Sequence, residues 1–184
     1  MEPRYSYGRH AGPVSEDARR AAVGILVHPG NSGASEFPLT VRPTHLRDHA
    51  GQVCLPGGAV EPGEELDDCV RRELEEELAP RHGELRIIGR LTPLYVFGTN
   101  FYVQPIVLSA DKPLAFTPDA REVAAVVPVR IDQFLQARCR VGELPRHWLF
   151  SQAPGWDFGD HWCWGATAMI LAEFRAVCEL GVGG

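Results

Sequence analysis

Apolar residues along this chain recur with two different periods, and the switches between them lay out the elements. Residues 21–27 are apolar enough for a buried strand, which Pro29-Gly30-Asn31-Ser32-Gly33 ends in a loop of turn formers. Residues 39–42 read as the returning strand. Residues 85–94 and 101–108 read as two more, joined by the hairpin-like Gly98-Thr99-Asn100, and residues 123–129 as another. Between the early and late strands the period changes. Pro62-Gly63 marks a turn, and after it Leu66, Cys69, Val70, Leu74 and Leu78 fall at helical spacing, which predicts a helix with one buried face. Residues 130–136 predict a short helix. Residues 167–180 carry Ile170, Phe174, Val177 and Cys178 on one face of a closing helix, which is expected to pack on the sheet with Thr167 as its cap. Strands first, a helix among them and a helix at the end predict a layered α/β architecture without the regular strand–helix repeat of a doubly wound sheet.

Length and composition narrow this picture. At 184 residues the chain suits a single domain with a substantial core. Residues 1–17 are polar, with Arg4, Tyr5, Tyr7 and Arg9 but no sustained period, and read as an arm ahead of a domain spanning 18–180. Residues 181–184 read as a flexible tail. A net charge of -6 without a dense Lys/Arg stripe argues against a nucleic-acid polymer as partner, because such binding rests on phosphate neutralisation. Cys54, Cys69, Cys139, Cys163 and Cys178 are widely spaced and form no metal-binding grouping, so reduced thiols are expected, with Cys69 and Cys178 as buried small hydrophobes. With no secretory leader and no apolar run long enough to span a bilayer, the expected location is cytoplasmic, with no membrane partner. The oligomeric state is not legible, and a homodimer stays open.

The first helix also carries chemistry. Glu73 lies four residues from Glu77 and three from Glu76, so the three carboxylates project together along the border of the apolar stripe. Like charges at this spacing cost each pair roughly 0.2–0.5 kcal/mol, so a positive group is expected there. One candidate is a hard divalent ion, which takes oxygen ligands; the other is a solvated acidic face with Arg71–Glu75 and Arg72–Glu76 as helical ion pairs.

The register of Gly58, Glu64, Arg72, Glu73, Leu74, Glu76 and Glu77 resembles the Nudix box, G-x5-E-x7-R-E-U-x-E-E-x-G-U, in which U is a bulky aliphatic residue. Ala79 and Pro80 stand where that pattern has its closing glycine and aliphatic residue, and Pro80 with the later Gly83 is expected to end the helix instead. The resemblance implies a Nudix fold, an α/β/α sandwich with a mixed β-sheet, and a hydrolase that uses Mg2+ or Mn2+. It assigns the metal to Glu73, Glu76 and Glu77, with the Gly57 or Gly58 carbonyl and Glu64 completing the set, and has Arg72 orient a glutamate through an ion pair. Glu122, ahead of the 123–129 strand, is the candidate late ligand or general base, against the alternative of a surface carboxylate beside Arg121.

Upstream, Thr40, Arg42, Arg47, Gly51, Pro56, Gly57 and Gly58 fall in register with the coenzyme A diphosphatase signature, while Pro38, Pro43 and Leu55 depart from it. This second resemblance implies a small-molecule nucleoside diphosphate substrate, coenzyme A or a derivative, bound by Thr40, Arg42, Arg47, Gly51, Gly57 and Gly58. Arg42 and Arg47 are the phosphate-facing cations, since a guanidinium can fork two donors onto phosphate oxygens; an ion pair to the acidic helix or to Asp48 is the alternative. His45 and His49 are expected to be surface residues. The rival functions are hydrolysis of ADP-ribose, NADH or a nucleotide triphosphate, and a catalytically silent nucleotide-binding regulator.

Overall fold

The computed structural model describes residues 14–46, 49–81, 83–144 and 152–182. Two strands form its spine. β1 (Arg19–Pro29) and β7 (Phe101–Ser109) pair in parallel from Arg19↔Phe101 to Val27↔Ser109, and every other pairing in the sheet is antiparallel. The sheet is therefore mixed. β2 (Ser35–Val41) joins β1 at His28↔Glu36, then carries β3 (Val53–Cys54) on one edge and β8 (Ala125–Arg130) on the other. β4 (Gly57–Ala59) pairs with the start of β1. The single strand expected over 85–94 is two, β5 (Arg86–Arg90) and β6 (Leu94–Val96), which pair with opposite ends of β7. The expected hairpin lies between β6 and β7, where a single 3-10 turn ends on Asn100 in a left-handed conformation.

Alternation along β1 sorts the core into two layers. Ala22 and Leu26 face α1 (Leu66–Leu78) and pack with Cys69, Val70, Leu74, Leu78, Ile106 and Leu108. Ala21 and Ile25 face the other way, toward α2 (Ile131–Gln136) and α3 (Gly165–Val182), where Phe37, Phe134, Trp156 and Phe174 meet edge to face or stacked. Helices thus cover both faces, the expected sandwich. The closing helix starts at Gly165, ahead of Thr167, which is a helical residue and no cap; its run to Val182 takes in Gly181 and Val182, expected as tail. A second sheet was not foreseen: β9 (Arg140–Glu143), β10 (Gln152–Phe158) and β11 (His161–Trp164) are ordered β11-β10-β9. The five cysteines are free, Cys69 buried as expected and Cys178 half-buried. Among the described residues no helix is long and apolar enough to cross a membrane.

The exit of α1 departs from expectation in a useful way. Gly83 does not make the turn; Ala79 does, at φ 40 and ψ 62, with its N–H on the Glu75 carbonyl. This is a left-handed helix end held by one backbone bond, and Pro80, which has no N–H, adds no second one. A left-handed conformation costs an L-residue about 1–2 kcal/mol, while glycine adds unfolded-state entropy. Ala79→Gly is expected to raise stability by roughly 0.5–1 kcal/mol, read as a higher urea midpoint at unchanged slope; a lower midpoint would show that the half-buried methyl outweighs the backbone strain.

Candidate functional site

Strand pairing decides what β4 offers to α1. The Gly24 N–H bonds the Pro56 carbonyl and the Val60 N–H bonds the Arg20 carbonyl, so the antiparallel alternation turns the peptide groups of Gly57 and Ala59 away from β1. They face the acidic side of the helix: the Gly57 N–H goes to the Glu77 carboxylate and the Ala59 carbonyl accepts Arg72 Nη2 at 3.1 Å. Gly57 is required by backbone space and conformation, and Gly58 leaves room for the Glu73 carboxylate where it stands. Gly57 holds φ at 145, and a Cβ there would lie 2.6 Å from Val23 Cα; a Cβ on Gly58 would collide with the Glu73 carboxylate.

Arg72 is the hub on the outer side. Its Nε and Nη2 fork onto Glu64 at 2.8 and 3.0 Å, while Nη1 reaches Glu73 Oε1 at 2.9 Å and Glu76 Oε2 at 3.0 Å. The foreseen Arg72–Glu76 pair is one arm of this four-residue cluster. Hydrogen bonding to Arg72 holds Glu64 down at about 2, and Glu64 also accepts the Glu61 N–H, so both its oxygens are committed. Glu64 serves Arg72 first.

Glu77 is the inner carboxylate. Only 4% exposed, it keeps one oxygen, Oε2, buried without a hydrogen-bond partner among the described residues. Burial chiefly, then the charges of Glu73 and Glu122, push its pKa up to about 8 against the pull of the Gly57 N–H and Arg42. Glu73 is raised as well, first by burial. Among the described residues no three His, Cys, Asp or Glu side chains converge as a ready coordination shell; Arg72 draws Glu73 and Glu76 toward itself.

Two more segments close on Glu77. The first follows β2: the charge of Arg42 acts on Glu77 and on Cys54. Its neighbours in that motif do structural work. Thr40 is 1% exposed and directs its hydroxyl at Cys54, so it lines the core and not a substrate, and Gly51, at φ 69, closes the turn by donating its N–H to the Arg42 carbonyl. Arg47 lies outside the described residues. His45 is exposed, and His49 is occupied by Gln52. The second segment is 115–124, of which only Glu122 was expected at the site. The Thr117 N–H bonds the Leu78 carbonyl and the Asp119 N–H bonds the Glu77 carbonyl, satisfying helix-end acceptors; Glu122 is thereby brought within the field of Glu73 and Glu77. Arg121 forks onto Asp119, and only its charge reaches the exposed Glu122. Pro118-Asp119 is a turn signal three residues before Glu122, the one local hint of this arrangement.

The NUDIX domain model matches residues 18–150. The chain is 36% identical to the Nudix hydrolase NudL of Salmonella paratyphi B over 152 residues, 78% of this chain and 74% of that protein. It is 32% identical to Nudix hydrolase 3 of Caenorhabditis elegans over 132 residues, 70% of this chain and 55% of that longer protein. In fold it is similar to an Ap4A hydrolase of C. elegans, with a TM-score of 0.56 at 17% identity over 88% of this chain and 98% of that one. It is also similar to the Nudix hydrolase RenU of M. smegmatis, with a TM-score of 0.53 at 24% identity over 63% and 73%. The domain match over most of the chain, joined to the carboxylate helix and its glycine strand, makes this chain a member of the Nudix hydrolases, a pyrophosphohydrolase.

Proposed function

We propose that the chain hydrolyses the diphosphate bond of coenzyme A or a derivative, with Mg2+ or Mn2+ held by Glu73, Glu76 and Glu77. The observation that carries the metal reading is Glu77: a buried carboxylate oxygen with no hydrogen-bond partner among the described residues, beside two other carboxylates, is met by a proton or by a hard cation. The Gly57 carbonyl, turned away from β1, is a further oxygen for it, and Glu64 supports the set through Arg72. The bound cation would offset charge developing on the phosphoryl oxygens. What the chain's own residues do is separate. Arg42 supplies a cation beside the carboxylates for a diphosphate oxygen, joined in this reading by Arg47. Glu122 takes the proton of the attacking water as its oxygen bonds to phosphorus and the bridging P–O bond breaks.

For coenzyme A the products are 4′-phosphopantetheine and adenosine 3′,5′-bisphosphate, or the acyl form of the former. Support for this substrate is the upstream motif together with the place of Arg42 within the field of Glu77. Incubation with coenzyme A, ADP-ribose, NADH and nucleotide triphosphates in saturating magnesium, with products resolved by chromatography, tests it. Coenzyme A is expected to be cleaved preferentially; preference for ADP-ribose would remove the assignment, and no cleavage of any would leave a nucleotide-binding regulator. Arg42→Ala is expected to raise KM for the preferred substrate by roughly ten- to hundred-fold, as the loss of one charge-assisted phosphate contact implies.

Glu77→Gln is expected to abolish turnover with the fold intact, because a neutral amide is a poor ligand for a hard cation. Its stability gives an independent readout. A carboxyl raised from 4.5 to about 8 binds its proton more tightly in the folded state, so without metal the fold loses stability as pH rises from 4.5 to 8 and levels off beyond. In EDTA the melting temperature is therefore expected to fall between pH 5 and 8 in wild type and much less in Glu77→Gln. Magnesium or manganese should recover the loss at pH 8 in wild type alone; equal recovery in the variant would remove Glu77 from the metal set.

A further inference from the structure

The segment between α1 and β8 converges on Asp119, and we infer that Asp119 is a positioning residue that fixes Glu122 against the carboxylate helix. The inference rests on the reading of Glu122 as base or late ligand. Asp119 faces three ways at once. Its N–H bonds the Glu77 carbonyl at 3.1 Å, attaching the segment to the last turn of α1. Its carbonyl accepts the N–H groups of Glu122 at 2.9 Å and Val123 at 2.8 Å, folding the chain back by one tight turn. Its carboxylate accepts the Arg121 N–H at 2.9 Å, an Asx-type bond that holds the turn from within.

Both ends of this turn are anchored. Val123 is 2% exposed, and the Ala124 N–H bonds the Val41 carbonyl, one residue before Arg42. On the helix side, the Arg81 N–H bonds the Ala115 carbonyl and the Thr117 N–H bonds the Leu78 carbonyl, while Phe116 packs into the α1 core. Glu122 itself is exposed and accepts no guanidinium from Arg121, which is turned onto Asp119. Its position relative to Glu73 and Glu77 is therefore set by the backbone of the turn, and that backbone by Asp119. The Arg121 guanidinium has a lesser part, because the Asx bond runs to its N–H and not to its side chain.

A double-mutant cycle separates this from general destabilisation. Asp119→Ala is expected to lower kcat by roughly ten- to hundred-fold with KM within about two-fold, the size of effect that a small displacement of a reacting group produces. Asp119→Asn, whose side-chain carbonyl still accepts the Arg121 N–H, is expected to recover activity to within about three-fold of wild type, and Arg121→Ala to stay there too. In a Glu122→Gln background Asp119→Ala should add less than about two-fold, because a residue acting through another loses its effect when that other is gone. If Asp119→Ala does not fold, Asp119→Ser, with a weaker acceptor on a shorter arm, carries the same cycle. Losses that multiply across the cycle would overturn the inference, as would an Asp119→Asn variant as impaired as Asp119→Ala. A Glu122→Gln enzyme with wild-type kcat would overturn it by removing Glu122 alone, leaving the metal reading to stand or fall with Glu77→Gln.

Discussion

One helix carries more negative charge than the protein around it neutralises, and the arrangement of the site follows from where that shortfall is placed. Arg72 answers Glu64, Glu73 and Glu76 together. Glu77 receives a peptide N–H and the distant field of Arg42, and keeps an oxygen with no partner in the described structure. Burying an ionised carboxylate in this state is costly, and the raised pKa of Glu77 is that cost expressed as a proton. In the proposed reading a divalent ion removes the same cost, so that metal affinity and the pH dependence of the fold would be two expressions of one imbalance.

The imbalance is held in place by backbone. Helix α1 lies against β1 and β4; β4 approaches β1 closely because Gly57 has no side chain in the space of Val23, and approaches α1 closely because Gly58 has none in the space of Glu73. Pairing with β1 then turns the Gly57 and Ala59 peptides outward, one to Glu77 and the other to Arg72. A mobile carboxylate would relax away from its neighbours; this one is pinned by a strand in register with β1, which itself pairs with β7 over nine residues.

Local signals made much of this legible. The apolar stripe of α1 and the spacing of Glu73, Glu76 and Glu77 are periodic within one helix, and β1, β2, β7 and β8 announce themselves by apolar runs. What escaped was non-local. Thr40 looks like a substrate contact by register, yet the hydroxyl is buried against Cys54, which only the pairing of β2 with β3 decides. The β9–β11 sheet escaped because its middle strand carries Pro154-Gly155 in place of an apolar run, and Gly155 leaves room for the Trp162 indole across its face. The role of residues 115–124 rests on backbone bonds to a helix nearly forty positions earlier, which no pattern of side chains encodes.

The helix exit shows how a pattern is kept when its letters change. A glycine there would supply a left-handed residue at little cost; Ala79 supplies the same conformation with a Cβ, and Pro80 removes the second bond that usually closes such an end. The carbonyls of Glu77 and Leu78 are instead taken by the Asp119 and Thr117 N–H groups. The end of the helix is therefore completed by the segment that also carries Glu122, and Glu77 and Glu122 are joined through hydrogen bonds on a single turn. In a chain whose helix closed on itself, that segment would lose these ties to the last turn of α1. Here the departure at residues 79 and 80 makes the loop part of the helix cap, so the same bonds that satisfy the helix also set the distance between Glu77 and Glu122.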